Sequence, residues 1–210
     1  MNFLRNNILN NIHKICPTRT WKGKQLKYNN QKVKKQLAKD FNNSCGYCGD
    51  SHYYVGGRNY FHVDHFAPKS LFKELEDSYD NFVYSCPYCN SSKSNCWIGK
   101  TPQENVINNK GFIDPCSEEY SLHLGRNKDG SIYYKTILGE FIFNTLKLYL
   151  IRHKILYQLD ELSNKIELLE EKKSKSNNKQ QIKKLNQMKQ RLCEAFYYYF
   201  ETYKKTIDEC

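Results

Sequence analysis

The chain has 210 residues, enough for one medium domain or a small domain with an extension. Its apolar fraction of 39% excludes global disorder, and Lys plus Arg outnumber Asp plus Glu by 33 to 22, for a net charge of +11. Such a balance favours polyanionic partners, because each neutralised phosphate releases condensed counterions. No stretch approaches the ~20 apolar residues that span a bilayer, and the start, Met-Asn-Phe-Leu-Arg-Asn-Asn-Ile, lacks the apolar run of a signal peptide. The expectation is therefore a cytoplasmic protein without a membrane partner, with nine cysteines serving as thiols and metal ligands rather than as disulfides.

In chain order, residues 1–44 read as a basic N-terminal arm. Arg5, Lys14, Arg19, Lys22, Lys24, Lys27, Lys32, Lys34, Lys35 and Lys39 face a single acid, Asp40. The spacing of Val33, Leu37 and Phe41 predicts a helix from about Gln31 to Phe41, with its lysines either on a phosphate or simply solvated.

Residues 45–115 carry two C-x-x-C knuckles, Cys45-Gly-Tyr-Cys48 and Cys86-Pro-Tyr-Cys89, with 37 residues between them. One knuckle alone could be a redox dithiol; two predict a closed four-thiolate zinc site that staples the segment without offering an open position for chemistry. Cys16, Cys96, Cys116, Cys193 and Cys210 lack such spacing and read as ordinary thiols. Asn59 to Asp64, after the Gly56-Gly57 turn, and Phe82 to Ser85 suit strands.

Residues 116–210 read as mainly helical. Asn-Lys-Asp-Gly at 127–130 predicts a hairpin turn, and a long helix is expected from about Ile137 to Lys172. Within it Ile155, Leu159, Leu162, Ile166 and Leu169 form a coiled-coil seam. The polar run from Lys173 to Gln180 allows an antiparallel return through a helix from about Gln181 to Asp208. The seam implies packing inside this hairpin, with a dimer or docking surface as the alternative. The aromatic run Phe196 to Phe200 implies packing in the hairpin core, with base stacking as the alternative.

Between the knuckles lies His62-Val-Asp64-His65-Phe-Ala-Pro68-Lys69, followed by Asn81-Phe-Val-Tyr-Ser-Cys86-Pro-Tyr-Cys89-Asn90-Ser-Ser-Lys93. Histidine suits deprotonation of a water near neutral pH, and an adjacent carboxylate suits a hard cation. This order of residues resembles the HNH nucleases of the ββα-metal superfamily, in the branch where cysteine knuckles flank the site. The resemblance covers about residues 45–95 and implies an α+β fold: a small zinc-stapled ββα-metal core between a basic N-terminal helical arm and a C-terminal helical hairpin.

It implies further that His65 is the general base and that Asp64 and Asn90 hold a catalytic Mg2+ or Mn2+. In the same pattern Asn81 braces the loop and Lys93 meets phosphate or the leaving group. Asn90 departs from the motif, whose name expects His; its amide oxygen still suits hard cations. His62, two residues before Asp64 on one strand face, is a further candidate ligand. The expected substrate is nucleic acid, DNA ahead of RNA; a silent zinc-knuckle module that only binds nucleic acid or a partner is the alternative. The stretch from Gly111-Phe-Ile-Asp-Pro-Cys116 through Arg152 is also similar to bacterial antiphage HNH effectors, including the nuclease partner of an ABC-type ATPase in Septu-like and some retron systems. That implies a partner docked on the C-terminal helices.

Overall fold

A computed structural model describes residues 11–208, so the first ten residues of the arm, Arg5 among them, and Cys210 lie outside the described residues. The chain forms two compact units, one reaching to Leu150 and one starting at Ile151. The described part of the arm, the cysteine frame and the strands after residue 116 all pack in the first unit.

Helix α1 (Gln31–Asp40) starts where the Asn30 side chain accepts from the Lys32 amide and buries Val33 and Leu37, with Phe41 continuing the stripe. It ends where Asn42 and Asn43 take left-handed φ of 52° and 57°, which asparagine tolerates. Lys32, Lys35 and Lys39 lie on the exposed face. The described part of the arm before α1 is irregular but anchored. Arg19 grips the Asp114 carboxylate at 2.8 and 3.0 Å and donates to the Phe82 carbonyl at 2.7 Å, so this cation is committed within the fold.

The expected strand from Asn59 is shorter than its sequence suggests. Gly57–Tyr60 closes one helical turn, α2, and β1 spans only His62–His65. The reason lies in its partner. β2 (Phe82–Ser85) pairs antiparallel in the register His62 with Ser85 and His65 with Phe82, and it stops because Pro87 opens α3 (Pro87–Lys93). No ladder remains for residues before His62, and the Asn59 carbonyl instead accepts from Lys34. Phe61, Phe82, Val83 and Tyr84 are fully or almost fully buried, each such side chain contributing about 1.5–3 kcal/mol by leaving water.

Two further hairpins follow, β3 (Val106–Ile107) with β4 (Lys110–Gly111) and β5 (Leu124–Arg126) with β6 (Ile132–Tyr134), with the short helix α4 (Tyr120–His123) between them. The second is the hairpin expected around Asn127–Gly130; Gly130 supplies φ 90° in its turn.

The long helix expected from Ile137 is two helices, α5 (Ile137–Thr145) and α6 (Ile151–Ser174). At the break the Leu148 amide reaches back to the Phe143 carbonyl and the Lys147 amide to that of Asn144, with Lys147 at φ 54°. This is a Schellman ending with lysine where glycine is usual, so composition conceals it. In the second unit α6 packs against α7 (Lys179–Asp208) as a helical hairpin. Ile155, Leu159, Leu162 and Leu169 of the seam are buried and Ile166 is half-buried. Core packing accounts for only part of the aromatic run: Phe196 and Tyr199 are half-buried, whereas Tyr197 and Tyr198 are 65% and 66% exposed. Five consecutive positions on a helix cover every direction, so they cannot all face one neighbour. Among the described residues no helix is long and apolar enough to cross a membrane.

Candidate metal centres and candidate active site

The first knuckle is a tight loop laid against the sheet. The Cys45 amide donates to Asp50, the Gly49 amide returns to Cys45, and the Gly46 amide donates to the Tyr84 carbonyl at 2.8 Å. A Cβ at Gly46 would stand 2.6 Å from the Phe41 ring and 2.7 Å from Val83, so only glycine allows this approach. The second knuckle forms the start of α3, where the Cys86 thiol caps the Cys89 amide at 3.4 Å.

The four knuckle sulfurs are fully buried and lie within 4.8 Å of one another, Cys48 and Cys86 at 3.9 Å. Tetrahedral zinc with Zn–S bonds of about 2.3 Å requires sulfur spacings of about 3.8 Å, so the donor set fits that ion. Its outer surface is also tied down. The carbonyls of Gly46, Tyr47 and Cys48 accept, in turn, from His13 at 2.7 Å, Tyr120 at 2.7 Å and the Arg126 guanidinium. Burial of His13 lowers its pKa from 6.5 to about 4, so the ring is a neutral donor here.

Between the knuckles, β1 presents Asp64 and His65 to opposite sides, as neighbours on a strand must be. Asp64 is 8% exposed. Its Oδ2 accepts from the Tyr47 hydroxyl at 2.6 Å and faces the Lys93 ammonium at 3.3 Å, while Oδ1 accepts from none of the described residues. Burial raises the pKa of this carboxyl; Lys93 and Tyr47 oppose the rise by favouring the charged form.

His65 is packed edge-on against Tyr28 and Phe82, at 5.1 and 5.4 Å between ring centres. Its Nε2 lies 2.8 Å from the Glu76 carbonyl. A carbonyl only accepts, so Nε2 carries the proton and Nδ1 keeps its lone pair in the neutral ring. Burial lowers the His65 pKa and favours that neutral ring.

Asn81 is buried and holds the loop that follows His65. Its Oδ1 accepts from the Ala67 amide at 2.8 Å and its Nδ2 donates to the Ala67 carbonyl at 2.9 Å, which fixes the amide's orientation. A longer bond to Leu75 at 3.4 Å ties in the turn that carries Glu76. Asn81 thus braces both the loop leaving His65 and the carbonyl that orients its ring.

Asn90 is half-buried on α3, one turn before Lys93, whose ammonium meets Asp64. Lys93 has no exposed surface; its ammonium donates to the His65 carbonyl at 2.9 Å and pairs with Asp64. That geometry directs it inward, not toward a phosphate. His62 is exposed at the start of β1, on the Asp64 side of the strand. Lys69 stands 3.7 Å over the Tyr28 ring beside Glu76. Sequence reasoning missed Tyr47, Tyr28, His13, Tyr120 and Arg126. Of these only Tyr47 carried a local signal, an aromatic inside a knuckle.

Residues 45–96 match the family model described as HNH endonuclease, and this segment is the chain's HNH endonuclease domain. It contains every residue of the thiol cluster and, Tyr28 excepted, of the Asp64–His65 site; His13, Tyr120 and Arg126, which hold the first knuckle, also lie outside it. Among curated proteins the chain is similar to the Septu protein PtuB of Bacillus mycoides (strain KBAB4), 27% identical over 129 residues. The match takes in 51% of this chain and 43% of that protein, so the chain spans less than half the relative's length. No solved structure matches the chain.

Proposed function

We propose that the chain is a metal-dependent endonuclease that hydrolyses phosphodiester bonds in nucleic acid, DNA foremost, with zinc in the four-thiolate site for folding alone. The observation that carries this reading is the contact of His65 Nε2 with the Glu76 carbonyl at 2.8 Å: it commits that nitrogen's proton and leaves Nδ1 as the one to take a proton from water. Asp64 Oδ1 and the Asn90 amide oxygen would hold the divalent ion, Mg2+ or Mn2+, with exposed His62 beside them as a further donor. When bound, that ion supplies positive charge against the charge developing on the phosphate. Asn81 keeps the base in place.

The test is cleavage of supercoiled plasmid with magnesium or manganese. His65→Ala should lower the rate about 10²–10⁴-fold with the fold intact, and EDTA should abolish cutting. Equal cutting by wild type and His65→Ala would overturn the assignment of the base. Inert wild type on both DNA and RNA would favour the silent binding module.

The similarity to a Septu protein supports a role in bacterial antiphage defence alongside a partner protein, an ABC-type ATPase being the expected class. The exposed Tyr197 and Tyr198 of α7 are the candidate contact residues. Co-purification of a co-expressed partner that is lost on Tyr197→Ser/Tyr198→Ser would support that role.

A further inference from the structure

Both donors to Asp64 reach the same oxygen. Tyr47, held between two zinc-site cysteines, and Lys93, one helical turn past Cys89, meet at Oδ2, and Oδ1 accepts from none of the described residues. The carboxylate is not sealed: Oδ1 keeps contact with solvent, so it can meet a cation that enters from outside. The arrangement pins one oxygen and presents the other. Its anchors are stiff: the Tyr47 carbonyl is bound by Tyr120, the next carbonyl by Arg126, and the Lys93 ammonium by the His65 carbonyl as well.

We propose that Tyr47 and Lys93 are positioning residues that clamp Asp64 through Oδ2 so that Oδ1 faces the divalent metal, and that the four-cysteine staple sets this clamp by fixing both donors. The proposal rests on the reading of Asp64 as a metal ligand. Lys93 brings a positive charge next to a cation site, so Coulomb repulsion alone would make its removal tighten metal binding. Positioning demands the opposite sign, and that difference separates the two accounts.

The experiment measures Mn2+ binding to the zinc-loaded full chain by calorimetry, without nucleic acid, for wild type, Tyr47→Phe, Lys93→Met and Asp64→Ala, with zinc content and melting temperature recorded. Tyr47→Phe should retain stoichiometric zinc yet weaken Mn2+ about 10-fold or more, the usual cost of losing an outer-shell partner. In cleavage assays it should raise the half-saturating Mn2+ concentration and recover most of the rate at high metal. Lys93→Met should also weaken Mn2+. Unchanged or tighter Mn2+ binding in Tyr47→Phe, with zinc in place, overturns the clamp. Should Tyr47→Phe lose zinc or fail to fold, Lys93→Met decides by the same criterion. Asp64→Ala separates the layers: wild-type Mn2+ affinity in that variant refutes Asp64 as a ligand, while weakened affinity there with none in Tyr47→Phe refutes the clamp alone.

Discussion

The two units are held together by different means. In the first, the decisive bonds join residues far apart in sequence: Arg126 to Cys48 across 78 residues, Tyr120 to Tyr47 across 73, Arg19 to Asp114 across 95. In the helical hairpin the ion pairs are mostly local, Glu161 with Lys165, Glu171 with Lys175 and Glu201 with Lys204, with Glu170–Lys189 joining the two helices. Local pairs on a helix surface contribute about 0.2–0.5 kcal/mol each and tolerate exchange. Long-range bonds to buried carbonyls fix one geometry. A site that must hold a carboxylate and an imidazole in register belongs in the first kind of structure, and that is where both lie.

The largest expected break in this comparison is loss of the zinc proposed for the four-cysteine cluster. Structural zinc contributes about 10–16 kcal/mol in small modules, comparable to or above the whole stability of a typical domain. Cys86→Ser, or chelation of the wild type, should therefore abolish hydrogen-exchange protection in β1, β2 and α3. The α6–α7 hairpin should keep most of its protection, since none of its residues belongs to the four-cysteine cluster. Simultaneous loss in both units would show that the hairpin depends on the first unit for its own stability.

Smaller but still large is the effect of Arg126→Met. The guanidinium serves both the Cys48 and the Gly130 carbonyls from a buried position, and bonds to a charged group contribute about 1.5–3 kcal/mol. Chemical denaturation should show a loss in or above that range, because the carbonyls left behind are buried.

Next comes the pH dependence of the His13 bond to Gly46. The folded pKa lies near 4 against 6.5 for the free side chain. The folded state therefore prefers the neutral ring, and its contribution is complete above pH 6.5 and lost as pH falls toward 4. Acid also protonates the thiolates, so the useful quantity is wild type minus His13→Gln. That difference should shrink by about 1–3 kcal/mol between pH 7 and pH 4.5, a range that allows for the ring's partial exposure. A difference constant with pH would mean that the ring titrates normally.

Much of the centre was legible because its constraints are local. Two knuckles with Gly or Pro before an aromatic, and Asp64 beside His65, are short patterns, so the residues that the fold gathers here stand out in the sequence. The arm helix and the hairpin at Asn127–Gly130 were legible for the same reason. What stayed hidden depends on partners distant in sequence. Strand β1 is cut short by where β2 ends, and the break at Lys147 uses a residue that seldom takes left-handed φ. The ammonium of Lys93 turns inward because Asp64 and the His65 carbonyl converge on it, which no spacing rule expresses. His13, Tyr120 and Arg126 reach the knuckle only after the chain has folded back on it.

The smallest expected effect lies on α7. Tyr198 is 66% exposed and its neighbour Tyr197 65%, so substitution to serine removes little buried surface from the hairpin. Each change should shift stability by no more than about 0.5 kcal/mol, the usual range for surface positions. The two helices differ in this respect from β1 and β2, where every residue but His62 and Val63 is buried. Measured on the isolated chain, a loss of about 2 kcal/mol for Tyr198→Ser would mean that the aromatic face is covered in solution, as by a second copy of the chain. The concentration dependence of the melting temperature would then distinguish self-association from packing within one chain, because only the former shifts with protein concentration.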